Sequence, residues 1–464
     1  MRVRRWAALP GLAVAATAVA LPTATTAGTA ATGAVFGIRP LLAGFRLVST
    51  KAPPTTAQCE KAIHLACYGA DQIERAYNLR PLYAKGYTGR GRTIVLVDSF
   101  GSPTIRHDLA VFDKAYHLPA PPSFRIVRPD GPVPKNYSWA GETTLDVEYS
   151  HTVAPGANIV LVETPVAETE GTVGFPQIVR AENYVIDHNM GDVISQSFGA
   201  TEQTFPSQRA LRDLRSAYVN AERHHVTVLA STGDSGAANT KFNGETYYLH
   251  PTVGWPASDP LVTAVGGTAL HLNGAGKRTS PDTVWNDTYN KAVLKWLTGS
   301  TTPVPVAGAG GLSSVFSRPT YQRGVARIVG GRRGLPDISM SASCSGNVLT
   351  YASFPGIKPG WYGVCGTSEA SPLFAGIVAV ADQWAHTRLG FLNPELYLLG
   401  QDRAPGLVDV TKGNNTVTFT QHGHTYTVHG YRARRGYDLA SGWGTVNAAR
   451  FVPELASLAG GRRR

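Results

Sequence analysis

One stretch late in the chain has the composition of a nucleophile at the start of a helix. Residues 366–372 read Gly-Thr-Ser-Glu-Ala-Ser-Pro and precede an apolar run, 373–384, that predicts a buried helix. There the hydroxyl of Ser368 would lie among free backbone N–H groups, which stabilise the oxyanion formed when a hydroxyl attacks a carbonyl. Gly366 allows close approach of a substrate, and Pro372 is tolerated if it falls in the first turn. Without further signals, the same residues predict an ordinary helix cap.

Three carboxylates have spacing or context that suits acid–base chemistry. Glu142 and Asp146 are four residues apart, so on a helix they share one face. Like charges placed this way repel, which raises one pKa and favours a shared proton. Asp234 lies in Ala-Ser-Thr-Gly-Asp-Ser-Gly, directly after the apolar stretch 226–230. The alternatives are a solvated helix face for the pair, as for Glu148, and a turn aspartate that binds its own backbone.

Alternating strands and helices must position these side chains. Regular structure is expected from about residue 70; the predicted strands are 93–98, 158–162, 192–197, 226–230 and 261–265, and the predicted helices are 72–79, 104–116, 142–153, 177–187 and 207–224. This alternation predicts an α/β fold with a doubly wound, mostly parallel sheet and helices on both faces. Sites in such sheets lie beyond the carboxyl ends of the strands, where Asp98, Ser197 and Asp234 fall. Residues 272–336 are predicted to be surface excursions, and 416–428 a β-hairpin.

Taken together, the motifs have a familiar order. Gly-Glu-x-x-x-Asp at 141–146, Gly-Asp-Ser-Gly at 233–236 and Gly-Thr-Ser-x-x-x-Pro at 366–372 resemble the sedolisin family of serine-carboxyl peptidases. The resemblance covers roughly 70–455 and includes the supporting stretches 87–98 and 154–159. It implies a subtilisin-like fold and hydrolysis of peptide bonds in proteins or peptides, by endopeptidase or tripeptidyl-peptidase action.

The resemblance also implies a role for each catalytic residue. Ser368 would be the nucleophile, Glu142 the general base and later the acid, and Asp146 the residue that orients Glu142. A protonated Asp234 would stabilise the oxyanion together with the Ser368 backbone N–H. A carboxylate base and a protonated aspartate both favour operation at acidic pH.

A calcium site near the C-terminus is a second implication of the resemblance. In region 405–445 the matching ligands are the side chains of Asp409 and Asp438 and the backbone carbonyls of Val410, Arg434 and Gly436. Such hard oxygen ligands suit one structural Ca²⁺ ion. Arg434 stands where the family has glycine, so the loop conformation there departs from the pattern.

The four cysteines fit an exported protein with disulfide bonds. Proximity in sequence favours Cys59–Cys67 and Cys344–Cys365, one of three possible connectivities. The second bridge would fix the loop that precedes Ser368.

The ends of the chain predict export and processing. Residues 1–27 have the basic, apolar and small-residue regions of a secretory signal, 28–60 are predicted as a short pro-segment or linker, 61–455 as the peptidase domain, and 456–464 as a basic tail. No other stretch is apolar enough to span a membrane. The net charge is +11, but six of the arginines lie at the two ends, so nucleic-acid binding is not expected. A secreted monomer that acts on protein or peptide substrates is the expectation.

The sequence is also compatible with two other functions. Asp98 and His107 would suit a Ser-His-Asp mechanism of the subtilisin type, although the chain has no His-Gly-Thr motif. The other is an inactive secreted binding protein on the same scaffold, in which His422, His424 and His429 hold a metal ion.

Overall fold

The computed structural model describes residues 43–461. The predicted signal peptide, residues 28–42 of the predicted pro-segment and residues 462–464 of the tail lie outside this range. The strands are β1 (Gly44–Ser49), β2 (Ala66–Tyr68), β3 (Thr93–Ser99), β4 (Phe124–Val127), β5 (Asn158–Thr164), β6 (Val193–Gln196), β7 (Ala200–Thr201), β8 (Thr227–Ser231), β9 (Gly254–Trp255), β10 (Thr263–Ala269), β11 (Thr283–Val284), β12 (Gly311–Ser317), β13 (Arg332–Leu335), β14 (Ile338–Ser341), β15 (Gly346–Ala352), β16 (Gly360–Cys365), β17 (Leu407–Val408), β18 (Val417–Gln421), β19 (His424–Val428) and β20 (Thr445–Val446). The α-helices are α1 (Thr56–Ile63), α2 (Ala70–Ala76), α3 (Arg80–Tyr83), α4 (Ile105–Tyr116), α5 (Ala140–Val153), α6 (Phe175–Asp187), α7 (Gln208–Arg212), α8 (Ser216–Arg223), α9 (Lys291–Thr298), α10 (Ala326–Val329), α11 (Thr367–Trp384), α12 (Asn393–Gln401) and α13 (Ala448–Gly461).

The central sheet is mostly parallel. Its strand order is β11-β10-β8-β6-β3-β5-β4, with β14 also paired to β10, and the β10–β11 pairing is antiparallel. Alternate residues of β3 enter different cores: Ile94 and Leu96 join the cluster that contains α5 and α11, whereas Val95 and Val97 join the cluster that contains α6 and α8. A strand with apolar residues on both faces is therefore covered on both sides. The predicted α/β fold with helices on both faces is confirmed.

The structure differs from the sequence-based expectation in region 28–60 and near residue 215. Within residues 43–461, regular structure is already present at β1, well before residue 70, because β1 forms by pairing with β16, which lies far away in sequence. The single helix expected over 207–224 is broken into α7 and α8. At the break the backbone tightens into i→i+3 hydrogen bonds, and Arg215 donates to the buried Asp259.

Residues 272–336 were predicted as surface excursions, which is only partly correct. Trp285 is fully buried, and the α9 residues Val293 and Trp296 pack into the same apolar cluster. Because this region is rich in Gly, Thr and Pro, its sequence pattern did not indicate these core positions. The hairpin predicted at 416–428 is present as β18 and β19.

Candidate active site

The proposed nucleophile and base are carried by two helices that pack against each other. Ser368 is the second residue of α11, and Glu142 and Asp146 lie one turn apart on α5. Gly366 precedes α11 with φ 136°, a left-handed conformation that favours glycine. All three functional side chains are fully buried.

Pro372 does not lie in the first helical turn, as the sequence suggested. It is the sixth residue of α11. Because proline has no N–H, the carbonyl of Ser368, four residues earlier, loses its usual helical partner. The hydroxyl of Ser197 lies 3.4 Å from that carbonyl oxygen and 2.9 Å from Asp146 Oδ1. Ser197 therefore bridges the backbone of the nucleophile and the acidic pair.

Asp234 follows β8 and faces the start of α11. Its Oδ1 accepts hydrogen bonds from the backbone N–H and the hydroxyl of Thr367, at 2.7 and 2.8 Å. Its Oδ2 is buried and has no hydrogen-bond partner in the described part of the chain. Burial raises the pKa of Asp234 to about 7, although the donors on Thr367 and the backbone of Ala43 lower it. Below that pH, Oδ2 can carry a proton and act as a donor.

Glu142 and Asp146 are perturbed mainly by loss of water. Burial raises the pKa of both carboxyls well above their ordinary values, and neighbouring acidic groups raise them further. The side chains of Ser368 and Ser197 oppose this shift by lowering the pKa of Glu142. A buried acidic pair of this kind holds at least one proton over a wide pH range.

Asp98 belongs to the same acidic group. The sequence placed it at the carboxyl end of a strand but gave it a role only in the Ser-His-Asp alternative. Asp98 is the penultimate residue of β3, is buried with both oxygens unpartnered among the described residues, and raises the pKa of Glu142 and Asp146. Burial raises its own pKa to about 8. Ser197 was also missed as a bridging residue. The available signal was the same for both, since each lies at the carboxyl end of a strand of one sheet.

No histidine takes the place that a Ser-His-Asp mechanism needs among residues 43–461. The His107 side chain is 63% exposed on α4 and contacts Asp108 and Ser353. Asp98, the aspartate of that alternative, lies beside Glu142 instead. His422, His424 and His429 are all exposed, near the hairpin of β18 and β19.

A cavity of about 710 Å³ opens beside Asp234. Its wall includes Gly199, Trp255 and Glu170. The carboxylate of Glu170 accepts hydrogen bonds from the backbone N–H of Thr201 and the hydroxyl of Thr204, at 2.9 and 2.8 Å. Its volume lies within the range of roughly 300–1,000 Å³ that is typical of ligand-binding pockets, and its walls combine apolar and polar groups.

Both predicted disulfide bonds are present. Cys59 is joined to Cys67 and Cys344 to Cys365, with Cα–Cα distances of 5.9 and 4.9 Å. Cys365 ends β16, three residues before Ser368. The second bridge therefore holds the strand that leads to the nucleophile.

Two of the predicted calcium ligands, Asp409 and Asp438, contact the backbone of one loop, 434–438. Asp409 accepts a hydrogen bond from the backbone N–H of Gly436 at 2.9 Å, and Asp438 accepts one from Arg434 N–H at 2.8 Å. Within residues 43–461, no group of three or more His, Cys, Asp or Glu side chains could hold a metal ion. An ion at this loop would thus depend on backbone carbonyls. The donors named from the sequence, two carboxylates and the carbonyls of Val410, Arg434 and Gly436, are all oxygen atoms, the chemistry that Ca²⁺ prefers.

Comparison with known proteins places this site in a family. The family model described as the subtilase family matches residues 137–396. The chain is 31% identical over 285 residues to sedolisin of Pseudomonas sp. (strain 101), which covers 61% of this chain and 44% of that protein. It is 29% identical over 443 residues to kumamolisin of Bacillus sp. (strain MN-32), which covers 91% of this chain and 70% of that protein. It is 29% identical over 323 residues to tripeptidyl-peptidase 1 of Homo sapiens, which covers 66% of this chain and 50% of that protein.

The chain thus spans about half the length of two of these relatives. A solved structure of Pseudomonas sedolisin, described as a serine-carboxyl proteinase in complex with pseudo-iodotyrostatin, superposes with a TM-score of 0.69 at 26% identity. That match covers 85% of this chain and 99% of the solved chain. The chain therefore belongs to the subtilase family and, within it, to the sedolisin family.

Proposed function

We propose that this protein is a serine-carboxyl peptidase that hydrolyses peptide bonds in proteins or peptides, as an endopeptidase or a tripeptidyl-peptidase. The observation that carries the proposal is that Glu142 interacts with Ser368, Asp146 and Asp234, all four being buried, and that one Asp234 oxygen has no partner within residues 43–461. Family membership supports the same reaction, because the matched relatives include sedolisin, kumamolisin and tripeptidyl-peptidase 1.

In the proposed reaction Ser368 attacks the carbonyl carbon of the scissile bond while Glu142 takes its proton. Protonated Asp234 and the Ser368 backbone N–H donate hydrogen bonds to the oxyanion. Glu142 then passes the proton to the leaving amine, and water hydrolyses the ester with Glu142 again as base. Asp146, held by Ser197, orients Glu142 and shares its proton.

The proposed pH range is acidic. The reaction needs Asp234 in its protonated form, and the pKa of this carboxyl is about 7. It also needs Glu142 in its ionised form, and burial has raised that pKa. Activity should therefore fall above about pH 7, when Asp234 loses its proton, and fall again as the pH is lowered and Glu142 gains one.

We further propose that the protein is secreted, acts without a membrane anchor as a monomer, and holds one structural Ca²⁺ at the 434–438 loop. Among residues 43–461, no helix has both the length and the apolar character needed to cross a bilayer. The ion would be held by Asp409, Asp438 and the neighbouring carbonyls. When bound, it would fix the loop that carries Asp438, and it takes no part in the proposed reaction.

The decisive test is hydrolysis of a mixed peptide library from pH 2 to 8. Ser368→Ala and Glu142→Gln should each reduce kcat by at least about 10⁴-fold, since removal of a nucleophile or its base leaves only binding and oxyanion stabilisation. Ser371→Ala is the matched control, because it removes a hydroxyl one turn further along the same helix, where it contacts Ser195. Turnover that survives in Ser368→Ala would contradict the proposal. An active Glu142→Gln with an optimum near neutrality would require a different base.

A further inference from the structure

Two stretches of the chain carry positive charge without any acidic residue. Residues 288–336 contain seven Lys and Arg, and residues 410–437 contain four, whereas neither stretch contains an Asp or Glu. The six arginines at the two ends of the chain therefore account for only part of the net charge of +11. Another part of that charge is a local excess within the folded domain.

The fold brings these two stretches into contact. β12 and β13 belong to the first stretch and pair antiparallel, and a glycine of each strand lies against the second stretch. A Cβ built at Gly311 of β12 would lie 3.1 Å from the ring of Tyr431, and one at Gly334 of β13 would lie 3.1 Å from the hydroxyl of Tyr437. Residues 431–437 therefore pack along the β12–β13 pair.

Arginines flank this contact on both sides. We define the arginine face as Arg318, Arg332, Arg432, Arg434 and Arg435, of which the first is half-buried and the other four are exposed. The backbone N–H of Arg318 donates to the carbonyl of Gly331, next to Arg332, at 2.9 Å. Burial raises the pKa of Tyr431, and the positive charge of Arg332 opposes that rise. Arg332 is therefore close enough to act on the segment that carries Arg432.

The charges of the arginine face are not neutralised by the chain itself. Among the cations of the two stretches, only Arg333 forms an ion pair within residues 43–461, and its partner is the buried Asp337. The flanking carboxylates, Asp409 and Asp438, accept hydrogen bonds from backbone N–H groups of the 434–438 loop. Like charges that lie together without counter-ions create a positive potential, which attracts anions.

The residue types of this surface indicate the chemistry of its partner. All five members are arginines, whose planar guanidinium group matches the oxygens of a phosphate with two parallel hydrogen bonds. No Phe, Tyr or Trp of residues 311–335 or 410–437 is exposed, so nucleic-acid bases would find no aromatic ring to stack on. None of the five arginines lines the cavity beside Asp234. The surface therefore fits an extended chain of charges and lies outside the proposed active site.

We propose that the arginine face binds an anionic polymer whose charges are linked phosphate groups, and that it holds the enzyme on such a polymer. This inference goes beyond the proposed peptidase function, and the binding does not depend on turnover. Only the choice of phosphate over carboxylate uses the proposed acidic range. Carboxyl groups of a polymer lose their charge near their pKa of about 4, whereas a linked phosphate keeps its negative charge there.

The first experiment measures binding of the purified full chain to a fluorescent phosphodiester oligomer built from stable abasic units. The binding constant is determined at pH 5 between about 50 and 200 mM salt. If each of the five arginines neutralises one phosphate, its logarithm should fall with the logarithm of the salt concentration with a slope of about −3.5, because single strands give about −0.7 per contact. A wild type that does not bind, or that binds without salt dependence, would overturn the inference.

A triple variant tests whether the arginine face makes these contacts. Arg332→Gln, Arg432→Gln and Arg435→Gln together should weaken binding at least about tenfold at ~100 mM salt and bring the slope about 2 closer to zero. All three side chains are exposed, so the melting temperature should equal that of the wild type.

The matched control removes the same charge from other surfaces. Arg90, Arg125 and Arg223 are exposed, and none of them forms an ion pair among the described residues. The triple variant Arg90→Gln, Arg125→Gln and Arg223→Gln should keep the wild-type affinity and slope. Equal losses in the two triple variants would show that net charge alone causes the binding, and the arginine face would be wrong.

Two further polymers test the chemistry of the ligand. An oligothymidylate of the same length should bind as the abasic oligomer does, and much tighter binding would show that bases are recognised, against the inference. Polyacrylate should bind more weakly than the abasic oligomer at pH 4, because many of its carboxyl groups are then protonated. Equal binding of polyacrylate at pH 4 would overturn the choice of phosphate.

Hydrolysis of a short uncharged peptide separates this inference from the proposed function. The abasic oligomer should leave kcat/KM of the wild type unchanged, and the arginine-face variant should match the wild type, because these arginines do not line the cavity. Inhibition by the oligomer that is equal in both proteins would place its binding in the active site and overturn the inference. If no protein cleaves the peptide at any pH, the peptidase function fails, while the binding measurements still decide this inference.

Discussion

At the scale of single residues, Asp234 is the group whose titration is most readily tested. Its Oδ1 already accepts two hydrogen bonds from Thr367, so the proton that Asp234 carries below about pH 7 is expected on Oδ2. Asparagine can keep both features, because its carbonyl accepts from Thr367 and its amide donates without titrating.

We therefore predict that Asp234→Asn retains measurable activity and loses the decline above about pH 7, whereas Asp234→Ala loses about 10²–10³-fold in kcat. The pH dependence of kcat for both variants checks this. A decline at unchanged pH in Asp234→Asn would show that another group causes it.

The effect of Ser197 on the pKa of Glu142 also has a predictable direction. Its hydroxyl donates to Asp146 and lowers the pKa of both Asp146 and Glu142. Without that donor, Glu142 is harder to ionise, so Ser197→Ala should move the acidic limb of kcat/KM to higher pH and reduce kcat/KM by about tenfold or more, as expected for a lost hydrogen bond to a charged group. Ser195→Ala in β6, two residues before Ser197, is the control, because Ser195 contacts Ser371 instead. Equal profiles for the two variants would rule out this role.

At the scale of elements, the 434–438 loop is held by two carboxylates that come from different parts of the chain. Asp438 is buried and Asp409 is exposed, yet both bind backbone N–H groups of this loop. A cation shared by the two carboxylates would stabilise the folded chain only, by about 2.7 kcal/mol at a concentration one hundred times Kd.

Accordingly, Ca²⁺ alone should raise the melting temperature of the wild type, a chelator should lower it, and Asp409→Ala should respond to neither. Asp402→Ala removes another exposed carboxylate, which precedes Asp409 in the chain, and this variant should respond as the wild type does. A wild-type melting temperature that is the same with Ca²⁺ and with chelator would contradict the proposed Ca²⁺ site.

At the scale of the whole molecule, many buried carboxyls form no ion pair with another residue of the 43–461 range. Burial raises the pKa of Asp98, Glu182 and Glu369 to about 8. The folded chain thus binds more protons than the unfolded chain between about pH 4.5 and 8. Because these folded-state values are raised, their contribution to stability is fully present below the unfolded pKa and is lost as pH rises through the folded pKa.

The free energy of unfolding should therefore be highest in acid and should fall towards pH 8. Glu182, whose two oxygens are buried without partners among the described residues, gives the test. Glu182→Gln should stabilise the protein at pH 8 by a few kcal/mol relative to its effect at pH 4, because glutamine has no proton to lose. Exposed Glu222→Gln on α8 is the control. Denaturant unfolding at both pH values measures the difference, and a pH-independent effect of Glu182→Gln would contradict the assignment.

The sequence by itself determined the features that depend on local pattern. Apolar alternation in β3 and β5 and the amphipathic helices between strands predict the sheet and its two covered faces, because each pattern reflects burial of a nearby side chain. Glu142 and Asp146 are one helix turn apart, and the glycine before Ser368 is equally close to that serine. Because these relations are local in sequence, the residues could be identified before the fold was known.

Only the tertiary structure decided the features that join distant segments. The pairing of β1 with β16, the entry of Asp98 into the acidic group and the bridge from Ser197 to Ser368 connect residues far apart in sequence. The position of Pro372 in the second turn could not be predicted either, because it depends on where α11 begins. No local propensity encodes these contacts. They arise when packing removes water from the site, which also sets the protonation of every carboxyl within it.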